Sequence, residues 1–135
     1  MQTFLPYSNF LGSVGCLDAQ RLNRQRVEAH LIINALKGES KQFESDPCVM
    51  MWVGYVPALT QYMRLCVIEW INRGFKNTME IPSENWDFKN PPWLGDRRLH
   101  DSHKSNLLKK APAHYSIYNW RVQADLPYFW PGSGI

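Results

Sequence analysis

The residues best suited to chemistry lie close together near the start of the chain. Arg21, Arg24 and Arg26 are interleaved with Asn23, Gln25 and Glu28 in the run from Leu17 to His30. Arginine grips a phosphate through two parallel donors, so such a cluster suits a nucleic-acid backbone. The competing reading is a solvated helix face, with Arg24 and Glu28 forming an ordinary i,i+4 ion pair. A second group occurs late, where His100, His103, Lys104 and Leu107 are spaced to share one helical face. Two imidazoles one turn apart, with Asp96 nearby, fall short of a zinc site because no second cluster supplies a further ligand. No metal and no cofactor is expected. There is no GxSxG, no cysteine in an activating motif and no glycine-rich phosphate loop. Aromatic side chains able to hold an unstacked base are plentiful: Trp, Tyr and Phe each occur 6 times.

Helices must position these groups. The first long one is predicted from an Asp18 cap to Gly38, a suitable residue just past a helix end. On it Leu22, Ala29, Ile33 and Leu36 share a core-facing stripe, and Asn23, Arg26, His30, Asn34 and Lys37 share a polar one. Arg21, Arg24, Gln25 and Glu28 make a third face that continues as Ile32 and Ala35. A face ionic at one end and apolar at the other passes from a core into a cleft. Residues 1–16 read as an extended lead-in with one short helical turn, and residues 39–45 as a polar loop. Asp46-Pro47 starts a short helix, which Gly54 and Pro57 interrupt. A central core helix follows from about Val56, carries Leu59, Tyr62, Cys66 and Trp70, and closes at Arg73-Gly74. Residues 75–95 read as an ordered loop packed by its own aromatics, in which Trp86 and Trp93 either anchor the loop or face a ligand. Asp96 opens a third long helix that ends at Lys109-Lys110 before Pro112. The tail from His114 reads as an irregular aromatic strap. The expected architecture is mostly α: a compact single domain over residues 1–135, with three main helices and long ordered aromatic loops.

Composition narrows the setting. Cys16, Cys48 and Cys66 are odd in number and widely spaced, which excludes a disulfide framework and a thiolate zinc site and fits a reduced, cytoplasmic environment. No basic-then-apolar leader and no apolar run of spanning length occurs, so no membrane association is expected. The net charge of +3 is unevenly placed. Residues 21–41 and 96–110 are basic, and an acidic stretch separates them. Folded onto one face they would meet a polyanion; otherwise they are two solvated helix faces.

The order of motifs resembles that of the pyrimidine-dimer DNA glycosylases of the phage endonuclease V type, and most nearly their bacterial branch. The matching residues are Phe4-Leu5-Pro6-Tyr7, Leu17-Asp18, Arg21-Leu22, Gln25-Arg26-Val27-Glu28, Trp52-x-Gly54-Tyr55, Arg73-Gly74-Phe75, Pro91-Pro92-Trp93-Leu94-Gly95-Asp96, His100-x-x-His103 and Trp130-Pro131. The resemblance implies a mostly α, metal-free fold that binds double-stranded DNA, excises a base and then cleaves the abasic strand. In that family the α-amine of an N-terminal threonine attacks the sugar, a glutamate on the first long helix assists, and arginines on that helix bind phosphates. An α-amine has a lower pKa than lysine and is more often free near neutral pH. A carboxylate can stabilise positive charge developing on the sugar and move protons. This chain departs at two positions: residue 2 is Gln, and Asn23 stands where the family has its glutamate.

The expectation is therefore a DNA glycosylase acting on damaged or modified pyrimidines, with abasic-site lyase activity and no obligate protein partner. Its catalytic candidates are Met1, Gln2, Glu28 and His103, with Glu28 as acid/base and His103 as proton donor or phosphate contact. Its DNA-contacting candidates are Arg21, Asn23, Arg24, Gln25, Arg26, His100 and Lys104, the two helices lining opposite walls of one groove. Two alternatives stand beside it: a nucleic-acid-binding module without chemistry, and a nucleotide or modified-base enzyme on the same scaffold.

Overall fold

The structure is a computed structural model in which residues 1–39 and 45–131 are described. Among the described residues six α-helices follow in order: α1 (Phe10–Cys16), α2 (Ala19–Leu36), α3 (Pro47–Met50), α4 (Val56–Asn72), α5 (Arg97–Lys110) and α6 (Pro112–Tyr115). A 3-10 turn covers Ser116–Tyr118. No strand occurs among the described residues. The mostly α expectation is borne out, with α2, α4 and α5 as the three long helices. The polar loop expected at 39–45 lies largely outside the described residues.

The ends of the helices follow local chemistry. Asp46 caps α3 by accepting from the Cys48 amide, with Pro47 at the first helical position. Asp96 caps α5 through the Arg98 amide. Gly95, which leads into that cap, has φ +103, a backbone conformation L side chains rarely adopt, and its N–H is turned toward His100. The lead-in holds more helix than expected: Asn9 accepts from the Gly12 amide and nucleates the seven-residue α1. Asp18 sits at the start of α2 but makes no side-chain cap bond. Its carboxylate is instead taken by the Tyr115 hydroxyl and by Arg21 at 3.1 Å.

The core lies between α2 and α4, with α1 packed against α4. Leu22, Ala29 and Ile32 meet Leu59, Tyr62 and Cys66 there, all fully buried. Trp52 is equally buried; its indole donates to Thr3 Oγ1 and packs edge-on against Trp93. Trp93 thus anchors the 75–95 loop, while Trp86 stays half exposed. Gln61 of α4 holds the same loop with both ends of its amide, donating to Ser83 O and accepting from Asn85 N. The tail stacks Tyr115, Tyr118 and Trp120 together, and His114 lies 2.9 Å from the Cys16 carbonyl. The three cysteines are free and buried, and burial pushes Cys16 and Cys48 up to about 12.

Candidate active site

Residues 1–5 belong to no helix, so side chains must satisfy their buried backbone groups. Two histidines of α5 bracket one peptide. The Leu5 N–H donates to His103 Nδ1 at 2.8 Å, and His100 Nδ1 donates to the Leu5 carbonyl at 2.7 Å. The Gly95 N–H donates to the other His100 nitrogen, which fixes its tautomer. From α2, Gln25 accepts from the Phe4 N–H at 2.9 Å and donates to the Gln2 carbonyl at 2.8 Å. The Tyr62 hydroxyl lies 3.0 Å from Phe4 O and 2.6 Å from Gln25 Oε1.

That clasp decides what the histidines can do. His103 is fully buried, and burial followed by the charge of His100 drives its pKa down to about 3. His100 is also lowered, chiefly by burial. Both are neutral near pH 7 and committed to the backbone. The expected roles of His103 as proton donor and of His100 as phosphate contact do not fit this placement.

Arg26 is corrected as well. Read as part of a polar stripe, it is instead only 9 % exposed. Its guanidinium lies 4.7 Å from the centre of the Trp70 ring, which itself stacks on Phe75. Its end nitrogens donate to Asn23 and Asn77, its Nε has no partner, and burial lowers its pKa. An arginine so enclosed joins α2 to the loop after α4 and does not reach a phosphate. Arg26→Ala is expected to lower unfolding stability by about 1–3 kcal/mol, the loss of hydrogen bonds to a charged group, with duplex affinity unchanged. Denaturant midpoints and a binding titration on the same variant check both halves.

Four of the expected site residues do converge. Gln2, Arg21, Arg24 and Glu28 line a cleft of about 180 Å³, joined by Phe4, Lys110 and Tyr128. Glu28 forms its acidic centre. One carboxylate oxygen accepts from Gln25 at 3.2 Å, and the other lies 3.7 Å from Arg24. Burial raises the Glu28 pKa, against the opposing charges of Arg24 and the N-terminal amine. Burial also pushes Tyr128 up to about 12, so it keeps its phenol proton. Arg21 is partly occupied by Asp18, whereas the Arg24 side chain is 68 % exposed and free to turn outward.

Asn23 bonds Arg26 and is not part of this cleft. His100 and Lys104 line a different depression with Pro6, Tyr7, Gly95 and Arg97, where the Lys104 ammonium sits over the Tyr7 ring. The groove expected between α2 and the histidine-bearing face of α5 is therefore two separate sites, and only Lys110, at the end of α5, meets the α2 cleft. The N-terminal amine is also differently placed: Met1 N is 2.7 Å from Asp46 Oδ2, and the Met1 side chain is 5 % exposed. Burial alone would lower its pKa, but the hydrogen bond and charge of Asp46 outweigh this and raise it. Asp46, legible in sequence only as a helix cap, thus serves α3 with one oxygen and Met1 with the other. Tyr128 and Lys110 were not among the expected site residues: Lys110 counted only toward the basic stretch 96–110, and nothing local to residues 110–130 reveals which side of α2 they meet.

A family model for pyrimidine dimer DNA glycosylases matches residues 1–83. The chain belongs to that family. Its match covers the clasped N-terminal segment, all of α2 and all of α4, so the glycosylase family's region contains Gln2, Arg21, Arg24 and Glu28. Helix α5, with Lys110, and the tail with Tyr128 lie beyond it. No curated protein and no solved structure matches the chain. Among the described residues no helix is long and apolar enough to cross a membrane.

Proposed function

We propose that this member of the pyrimidine dimer DNA glycosylase family binds double-stranded DNA and excises a damaged or modified pyrimidine in the cleft around Glu28. One observation carries the reading: a half-buried carboxylate of raised pKa faces a cleft whose rim is arginine and lysine. A carboxylate whose pKa burial raises exchanges protons more readily near neutral pH, and in its charged form it stabilises positive charge growing on a deoxyribose as the base departs. Arg24 and Arg21 would take the flanking phosphates, and Tyr128 would offer a neutral hydroxyl. Glu28 replaces the glutamate that the family places where this chain has Asn23, one face of α2 away. The cleft volume of about 180 Å³ is below the ~300 Å³ at which pockets for whole small ligands begin. It suits one sugar or base at a time and disfavours a free-nucleotide enzyme.

The test is release of free base from ultraviolet-irradiated duplex DNA, with undamaged duplex as control. Absence of release with any lesion on a panel of modified pyrimidines would remove the glycosylase reading. A second reading, DNA binding without chemistry, draws on the ion pair that occupies the Met1 amine. It predicts salt-dependent duplex binding with no base release. In both readings Arg24→Ala should weaken binding uniformly across sequences. The slope of log affinity against log salt should become shallower by about 1, the loss of one phosphate contact. An unchanged slope would remove Arg24 from the DNA contacts.

A further inference from the structure

Behind the cleft lies a side chain whose hydrogen-bonding capacity is fully used. Gln25 is 0 % exposed and does not line the cleft, so it meets neither solvent nor a molecule bound there. A primary amide offers two acceptor sites and two donor protons, and Gln25 engages them all. Its Oε1 accepts from the Phe4 N–H at 2.9 Å and from the Tyr62 hydroxyl at 2.6 Å. Its Nε2 donates to the Gln2 carbonyl at 2.8 Å and to Glu28 Oε2 at 3.2 Å. The backbone partners fix which way the amide faces. A backbone N–H only donates and a carbonyl only accepts, so a flipped amide would lose both bonds. The atom turned toward Glu28 is therefore a donor, locked in place by the N-terminal segment and α4. One carboxylate oxygen, Oε2, is tied to this buried amide, and the other, Oε1, lies beside the mostly exposed Arg24 at 3.7 Å.

We infer that Gln25 is the positioning residue of Glu28: it ties Oε2 inward and leaves Oε1 to the sugar in the cleft, an inference that rests on the glycosylase reading above. Without that donor the three rotatable bonds of the glutamate spread its carboxylate over several rotamers, and the oxygen meant for the sugar is misplaced. The charged groups around Glu28 give no equal constraint. Arg24 of α2, the Met1 amine and Asp46 at the start of α3 act on its charge, while Arg21, Lys110 and Tyr128 share its cleft. The amide bond adds direction to that field. It also favours the charged carboxylate, in the sense opposite to burial. Gln25 thus holds Glu28 in the form that stabilises positive charge on the sugar.

The experiment compares Gln25→Met with the unsubstituted protein on ultraviolet-irradiated duplex. Methionine has much the same length and makes none of the four bonds. Base release is expected to fall by up to about 10²-fold, the cost of a misplaced group, in kcat with KM unchanged. The carboxylate limb of the pH–rate profile should move upward. In a Glu28→Gln background the same change should cost little more, because a residue acting through Glu28 has nothing left to position. An equal cost in both backgrounds, or a limb that stays in place, overturns the inference and leaves the glycosylase reading standing. Should Gln25→Met fail to fold, NMR of the unsubstituted full chain decides. The Gln25 side-chain NH₂ resonances should titrate with the midpoint of the Glu28 carboxylate carbon, and resonances that do not follow it overturn the inference. Where the unsubstituted protein releases no base from any lesion, the glycosylase reading and the inference fall together.

Discussion

Glu28→Gln is expected to reduce base release by about 10²- to 10⁴-fold, the range a positioned acid/base contributes. The substitution preserves the shape of the side chain, and a glutamine oxygen can still accept from Gln25. The ion pair with Arg24 is lost, but at 3.7 Å to a mostly exposed guanidinium it is worth only ~0.3–0.5 kcal/mol. Thermal stability and duplex affinity should therefore stay close to those of the unsubstituted protein, which separates lost chemistry from lost structure. The pH–rate profile gives a second readout. Because burial raises Glu28 above its ordinary 4.5, the carboxylate limb should lie above that value and vanish in the variant. Near-normal turnover by Glu28→Gln would end the case for this cleft.

The second large effect concerns acid. His103 and His100 are buried as neutral acceptor and donor, with pKa values pushed below 6.5. The folded state then binds fewer protons than the unfolded state wherever unfolded histidine is charged. Stability is present above pH 6.5 and is lost as pH falls toward 3, the value His103 approaches. His103 adds a slope of up to about 1.4 kcal/mol per pH unit across that window, and His100 adds to it in the same direction below 6.5. Unfolding midpoints at pH 7 and pH 5 should thus differ by far more than surface carboxylates produce. His103→Asn keeps an acceptor for the Leu5 amide and cannot titrate. It should be less stable at pH 7, because atoms are removed from a filled core, yet show a shallower acid dependence. An identical acid slope in both proteins would show that the histidine pair does not govern acid unfolding.

The fold was largely legible because its signals are local. Asp46-Pro47, Gly54 with Pro57, Arg73-Gly74 and Asp96 mark helix limits through short-range chemistry, and each lies where the structure turns. The α2 face carrying Arg21, Arg24, Gln25 and Glu28 was also readable, since helical periodicity alone puts those side chains together. Direction in space was not readable. Arg26 and His103 look polar in a string of letters, but Trp70, Asn77 and the Leu5 peptide turn them inward, and those partners stand 44 to 98 residues away. The same distance hid Lys110 and Tyr128. A further obstacle was the Met1 amine, because the residue that holds it was already accounted for as a helix cap.

The bracketing of Leu5 by His100 and His103 also sets an order of assembly. The Leu5 peptide must wait for α5, 95 to 98 residues further along the chain, before its backbone finds its partners, and closing so long a loop is slow compared with forming α2 or α4. A nascent chain that has already made its central helices has neither the floor of the cleft nor its lysine. The cleft around Glu28 therefore closes only once α5 has formed, and truncation anywhere before α5 should yield a helical product that lacks it.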